Sequence, residues 1–222
     1  IRVRNMLEIR LLHQATREQS RLLESLVRND PLTGLGNRRL LAERMTMAIA
    51  HARRKKQSMA VVYLDLDGFK QINDIHGHHI GDLVLQGVAT RLGAMVREED
   101  TLVRLGGDEF LIVLADLATS TSFENASTVA TKAIHAVAPT YELEGQAIHI
   151  TTSAGIGIYP IHGEDAEALL KSADAALYQA KHAGRNGYRI FGQDPPSDAF
   201  GEPPNGSTHP PETLSARSSK KA

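Results

Sequence analysis

Near the middle of the chain two short apolar runs, Thr101 to Leu105 and Phe110 to Leu114, are separated only by Gly106-Gly107-Asp108-Glu109. A gap that short, built on paired glycines, turns the backbone straight back on itself, so the two runs read as an antiparallel hairpin. Around the hairpin the pattern alternates. Helical spacing covers Asn37 to Lys56, a β-branched and apolar run covers Ser58 to Leu66, and helical spacing returns from Ile80 to Arg97. A helix over Phe123 to Ala138, a strand over Ala147 to Tyr159, a helix over Glu164 to Ala183 and a short strand at Tyr188 to Phe191 complete the series. Helices grouped about a central, mainly antiparallel five-stranded sheet make an α+β domain.

The flanks differ in composition. Residues 1–29 lack glycine and proline, and Met6, Ile9, Leu12, Leu22, Leu23, Leu26 and Val27 recur at roughly helical intervals. They form an N-terminal linker helix in this reading. His13, Gln14 and Thr16 interrupt its stripe, so it fits either a coiled coil or a helix packed on its own domain. From Pro195 the chain turns to Pro, Gly, Ser and Thr, too poor in apolar residues to offset the entropy of ordering. The expected division is a linker at 1–29, one principal domain at 30–192 and a disordered tail at 193–222. Because the chain opens on Ile1 in apparent mid-helix, it reads as cut from a longer protein.

Lys plus Arg number 25 against 26 Asp plus Glu, so no bulk field attracts nucleic acid and recognition of phosphate must be local. Cysteine is absent, which excludes disulfides and thiolate metal sites and suits a reducing compartment, with a cytoplasmic location expected. No apolar run reaches the roughly 20 residues of a membrane-spanning helix, so no direct membrane contact is expected of these residues.

Asp65 ends the first strand and Asp108 sits in the hairpin tip, so carboxylates from two strands can meet. A hard cation such as Mg²⁺ takes oxygen ligands of this kind, commonly one or two carboxylates together with substrate phosphates. Taken alone, Gly-Gly-Asp-Glu is more simply an ordinary turn. No G-x-x-x-x-G-K-[ST] loop is present, and Gly155-Ile156-Gly157 lies inside a strand rather than opening a helix. His76, His78 and His79 lack the arrangement of a zinc hydrolase.

Read together, the motifs resemble the GGDEF family of diguanylate cyclases from Asp30 to about Phe191. The resemblance rests on Asp30-Pro31-Leu32-Thr33-Gly34-Leu35-Gly36-Asn37-Arg38, Asp65-Leu66-Asp67-Gly68-Phe69-Lys70-Gln71-Ile72-Asn73-Asp74 and Gly77-His78-His79-Ile80-Gly81-Asp82. It continues through Arg104-Leu105 before the signature, Ser153-Ala154-Gly155-Ile156-Gly157, Ala173 to Lys181, and Gly184-Arg185-Asn186. The implied fold is of the nucleotidyl-cyclase and polymerase-palm kind. The implied activity is Mg²⁺-dependent condensation of two GTP into cyclic di-GMP, with Mn²⁺ as an alternative metal.

Several roles follow from that resemblance. Asp65, the Leu66 carbonyl and Asp108 would hold metal, with Glu109 as a further metal or hydroxyl contact. Asp108 would also accept the proton of the attacking hydroxyl, and Lys70 would offset developing charge. Asn73 and Asp82 would read guanine, whose N1 and N2 edge offers paired donors to an ionised carboxylate. His78, Phe69, Gly106 and Gly107 would line the nucleotide, and Lys181 and Arg185, one turn apart on the last long helix, would meet the terminal phosphates. Arg97 and Asp100, an R-x-x-D pattern just before the signature strand, match the family's inhibitory site for cyclic di-GMP. The family works as a homodimer, one GTP per domain. The stretch Val3 to Glu8 resembles the segment after a response-regulator receiver domain, so an upstream sensory or receiver domain is the expected partner. His76 stands where an aromatic residue is usual, and Gly157 where alanine is common. A receptor without turnover and a different nucleotidyl cyclase or polymerase are the competing classes; the intact signature disfavours the former, and Asn73 with Asp82 the latter.

Overall fold

The structure, a computed structural model, describes residues 28–193. Apart from residues 28–29 and 193, the expected linker helix and C-terminal tail lie outside the described residues. Helix α1 (Arg38–Lys55) starts where the Asn37 side chain accepts hydrogen bonds from the N–H groups of Arg39 and Leu40, and stops at Lys56 in the left-handed region. Strand β1 (Ser58–Asp67) follows, then α2 (Phe69–Met95), β2 (Thr101–Gly106) and β3 (Glu109–Leu117). After a 3₁₀ turn come α3 (Ser122–Val137), β4 (Tyr141–Leu143), β5 (Gln146–Ile148), β6 (Thr151–Tyr159), α4 (Ala166–His182) and β7 (Tyr188–Ile190).

The main sheet has the order β2-β3-β1-β6-β7, antiparallel except where β7 joins β6 in parallel. Central β1 is buried on both faces, which explains its nearly continuous apolar run. Ala60, Val62, Leu64 and Leu66 pack with Val84, Val88 and Leu92 of α2 and with Ala126, Ala130 and Ala133 of α3. Met59 and Val61, on the opposite face, pack with Leu41, Met45 and Ile49 of α1 and with Leu169 and Ala173 of α4. Here α4 lies almost backbone to backbone on β6. A Cβ added to Gly155 would stand 2.0 Å from the Ala173 carbonyl oxygen, and one on Gly157 2.7 Å from that of Leu169.

Two elements depart from the sequence reading. The strand expected over Ala147 to Tyr159 is two strands: β5 pairs with β4 in a separate hairpin, and Ile150 turns into the core before β6 begins. The helix expected from Ile80 starts eleven residues earlier, at Phe69, and kinks at Gly77, whose φ of 84° and ψ of 161° lie outside the helical region. The exposed stretch from Asp74 to His79 hides the helix because it has no buried stripe to show.

Candidate active site

Asp65 lies opposite Glu109 on β3 and opposite Ser153 on β6, so the ladder brings the first acidic motif to the signature hairpin. The Leu66 N–H donates to the Asp108 carbonyl at 3.2 Å, which fixes Asp108 beside β1. Gly106 and Gly107 have φ of 139° and 54°, and a Cβ on either would meet nothing within 4 Å. The glycines therefore serve the backbone of the turn and leave open space at its tip.

The tip is pinned from behind. Arg104 donates through Nε (3.0 Å) and Nη2 (2.7 Å) to the Gly107 carbonyl, and through Nη1 to Asp30 Oδ1 at 2.9 Å. Asp30 also accepts from the Thr33 N–H (2.9 Å) and Oγ1 (2.6 Å). Burial alone would raise the Asp30 carboxyl, but these hydrogen bonds outweigh it and hold the group below its ordinary range. Asp67 is a second anchor: it accepts from Thr151 Oγ1 and Ser153 Oγ, both at 2.8 Å, and from the Asn186 N–H at 3.1 Å. Neither anchoring role was legible from spacing. The Asp-x-x-Thr turn at Asp30 to Thr33 was a signal, but its arginine partner stands 74 residues away.

Asp65 is a charged group in a poor place for charge. Burial raises its carboxyl above the ordinary range, Asp108 and Asp67 repel it further, and Lys181 opposes them with an ion pair of 2.7 Å. Lys181 thus lies against Asp65 itself. Tyr63, on the same face of β1, has its phenol pushed up by burial and then by the Glu109 carboxylate beside it. Among the described residues no three His, Cys, Asp or Glu side chains converge to hold a metal by themselves. The oxygen-only donors that do meet, two carboxylates in a crowded acidic corner, fit a hard divalent cation that completes its shell with water and phosphate.

The first turn of α2 follows within two residues of β1, through Gly68 at φ 76°. The Gln71 and Ile72 N–H groups donate to the Gly68 carbonyl at 2.9 and 3.4 Å, and the two N–H groups ahead of them stand at a helix start, a natural place for phosphate. Lys70 is exposed in that turn, whereas the Phe69 ring is 7% exposed, so Phe69 offers a ligand its backbone rather than its side chain. The kink at Gly77 brings Asn73 against the second half of the helix. A Cβ on Gly81 would stand 1.9 Å from Asn73 Oδ1, so the amide lies over Gly81, the residue before Asp82. His78 is exposed just past the kink.

Two placements are not what closeness in sequence suggests. Arg185 is not one helical turn beyond Lys181, because α4 ends at His182 and Gly184, Arg185 and Asn186 have φ of 117°, 62° and 46°. Arg97 and Asp100 are not beside Asp108 in space. They close a turn, Asp100 N–H to Arg97 carbonyl at 3.2 Å, at the opposite end of β2, roughly 20 Å away for a six-residue strand at about 3.3 Å per residue. Burial raises the Asp100 carboxyl, against the nearby Arg97.

Residues 27–187 match the family described as diguanylate cyclase, GGDEF domain. The chain belongs to the GGDEF family. Among curated relatives it is 43% identical over 172 residues to the bifunctional diguanylate cyclase/cyclic di-GMP phosphodiesterase MucR of Pseudomonas aeruginosa, covering 78% of this chain and 24% of that protein. Coverage of the next two relatives is 20% and 21% of their lengths, so the chain spans about a fifth to a quarter of these proteins. Among solved structures, the GGDEF domain of TpbB from P. aeruginosa superposes with a TM-score of 0.69 at 36% identity, covering 73% of this chain and 99% of that one. The coiled coil and GGDEF domain of DgcB from Caulobacter crescentus, in complex with c-di-GMP, gives 0.70 at 28% identity, covering 83% and 98%. No helix among the described residues of this GGDEF domain is long and apolar enough to cross a membrane.

Proposed function

We propose that this GGDEF domain is a diguanylate cyclase that joins two GTP molecules into cyclic di-GMP with release of pyrophosphate. The observation that carries the proposal is the meeting of Asp65 and Asp108 across the β1–β3 ladder, beside the open first turn of α2. Asp65, Asp108, the Leu66 carbonyl and Glu109 would hold Mg²⁺, or Mn²⁺ in its place, which when bound supplies the positive charge that phosphoryl transfer needs. Asp108 accepts the proton of the 3′-hydroxyl that attacks the α-phosphate of the second GTP. Lys70 offsets charge that grows on the phosphate oxygens, and Lys181 moves from Asp65 to the triphosphate. The N–H groups at Gly106, Gly107 and Phe69 line the phosphates, Arg185 reaches them from its loop, and Asn73, Asp82 and His78 orient the base.

Each domain would bind one GTP, so turnover needs two chains with antiparallel nucleotides. The helix expected over residues 1–29 would connect domain 30–192 to an upstream sensory or receiver domain in a cytoplasmic protein. Arg97 and Asp100 would bind cyclic di-GMP and restrain turnover, a reading supported by the groove they line with Asn125, Thr128 and Lys132. Incubation with GTP and Mg²⁺ followed by mass spectrometry tests the activity: cyclic di-GMP is expected, and none from Asp108→Ala. No product from folded wild-type protein would refute it. Arg97→Ala should relieve inhibition by added cyclic di-GMP; inhibition equal to wild type would remove the regulatory role.

A further inference from the structure

The two halves of α2 meet at Gly77 and share one core, Phe69 and Ile72 on one side of the bend and Ile80, Val84 and Leu85 on the other, while the bend itself lies outside that core. Phe69 and Ile72 anchor the first half in the core, but from Asp74 to His79 every residue is exposed, Ile75 to 75%. Between this half and β5 runs an open cleft lined by Gln71, Ile75, His76, Ala147 and His149. Two hydrogen bonds bridge it. His76 Nδ1 pairs with Gln146 Oε1 at 2.7 Å, and His79 Nε2 with Glu144 Oε1 at 2.9 Å, so the β4–β5 tip holds one histidine on each side of Gly77. With carbonyl and carboxylate oxygens as acceptors, each ring nitrogen named is the donor.

The hairpin carrying these acceptors is itself fixed. Two strands of three residues are marginal on their own, but the base of this pair is bolted to the far half of α2. Tyr141 is 4% exposed, and its ring lies so near Gly87 that a Cβ there would stand 2.9 Å from Cδ1. Arg91 covers the same ring, 3.6 Å from its centre, and donates to the carbonyls of Val137 (3.1 Å), Pro139 and Thr140 (2.8 Å). The hairpin is thus a short arm lying along α2, clamped near Arg91 and reaching the kink with its tip.

We infer that Glu144 and Gln146 are positioning residues for nucleotide selection: through His79 and His76 they steady the exposed bend at Gly77, and so the seat of Asn73 over Gly81. This rests on the reading of Asn73 and Asp82 as the base contacts. The four side chains in the two bridges are exposed, and exposed pairs add little to stability. Their effect therefore belongs in nucleotide affinity and base preference rather than in folding.

The test compares wild type, Glu144→Ala/Gln146→Ala and Asp82→Ala in steady-state turnover of GTP and of inosine triphosphate, which lacks the exocyclic amino group. For the double variant the half-saturating GTP concentration should rise about fivefold, with kcat within twofold, melting temperature unchanged and the preference for GTP reduced. Gln146→Glu, which keeps an acceptor for His76, should stay near wild type. If Asp82→Ala abolishes the preference while the double variant matches wild type, the arm has no positioning role. Equal losses of kcat and melting temperature in the double variant, without a change in preference, would likewise overturn it. An unchanged preference in Asp82→Ala would remove the base reading, and the arm's role with it.

Discussion

Replacing Gly81 with alanine puts a methyl carbon where the Asn73 amide now lies. The new Cβ would be 1.9 Å from Oδ1, 3.0 Å from Cγ and 3.3 Å from Phe69 Cζ. The obstacle at 1.9 Å is the end of a side chain, so Asn73 can swing away at small cost to folding. Alanine in a helix interior gains about 0.5–1 kcal/mol over glycine, enough to offset much of that cost. The variant should therefore unfold within about 1 kcal/mol of wild type in a denaturant titration. Catalysis should behave differently. If Asn73 makes two hydrogen bonds to the bound base at about 1 to 1.5 kcal/mol each, losing both costs about 2 to 3 kcal/mol, or roughly 30- to 150-fold in kcat/KM for GTP. Asn73→Ala should show a similar loss, and Gly81→Ala/Asn73→Ala should be no worse than either single change, because both remove one interaction. A folded Gly81→Ala enzyme with wild-type kcat/KM for GTP would refute both the placement of Asn73 over Gly81 and its part in binding.

Arg104→Ala should cost about 2–4 kcal/mol in urea unfolding, since it strands a largely buried Asp30 and frees the Gly107 carbonyl; a stability equal to wild type would show that the tip needs no such brace. Asp30 is held below its ordinary range, so its contribution is present above the usual aspartate value of about 3.9 and lost as pH falls through the lower folded value. That acid-limb loss should be shallower in Arg104→Ala when melting temperature is followed against pH. Asp65 has the opposite sign: with its folded value raised, wild type loses stability as pH rises from the ordinary aspartate value through the raised one. Asp65→Asn, measured near pH 7 without nucleotide, should melt no lower than wild type while making no product; a clearly lower melting temperature would contradict the strain assigned to this carboxylate.

What the sequence revealed and what it hid divide along physical lines. The β2–β3 hairpin, β1, α1 and α4 were legible because period and turn residues are local properties, and Asp65 and Asp108 were legible as a pair because one lies near the end of a recognisable strand and the other in the tip of a recognisable hairpin. The first half of α2 was not, since a helix with few buried residues leaves no periodic trace, and β5 merged with β6 because Ile148 and Ile150 are both buried although a ladder ends between them. Arg104 with Asp30, and Asp67 with Thr151, Ser153 and the Asn186 amide, depend on partners brought together only by the folded sheet. Arg185 was misplaced by counting helical turns through Gly184, where the backbone has already left the helix.

The contact of α4 with Gly155 and Gly157 has a consequence for how such a domain can change over generations. One half of the site, with Asp65, Asp108 and Lys181, is set by strands and a helix that touch through their backbones, where even an added methyl group has no room. The proposed other half, Asn73 and Asp82, flanks a bend whose exposed side is bridged to the β4–β5 tip by His76 and His79. Substitutions around the bend can accumulate singly at little cost to folding, whereas those along β6 and α4 must come in compensating sets. If Asn73 and Asp82 read the base as proposed, base preference is the property most free to drift, and phosphate chemistry the one most firmly inherited.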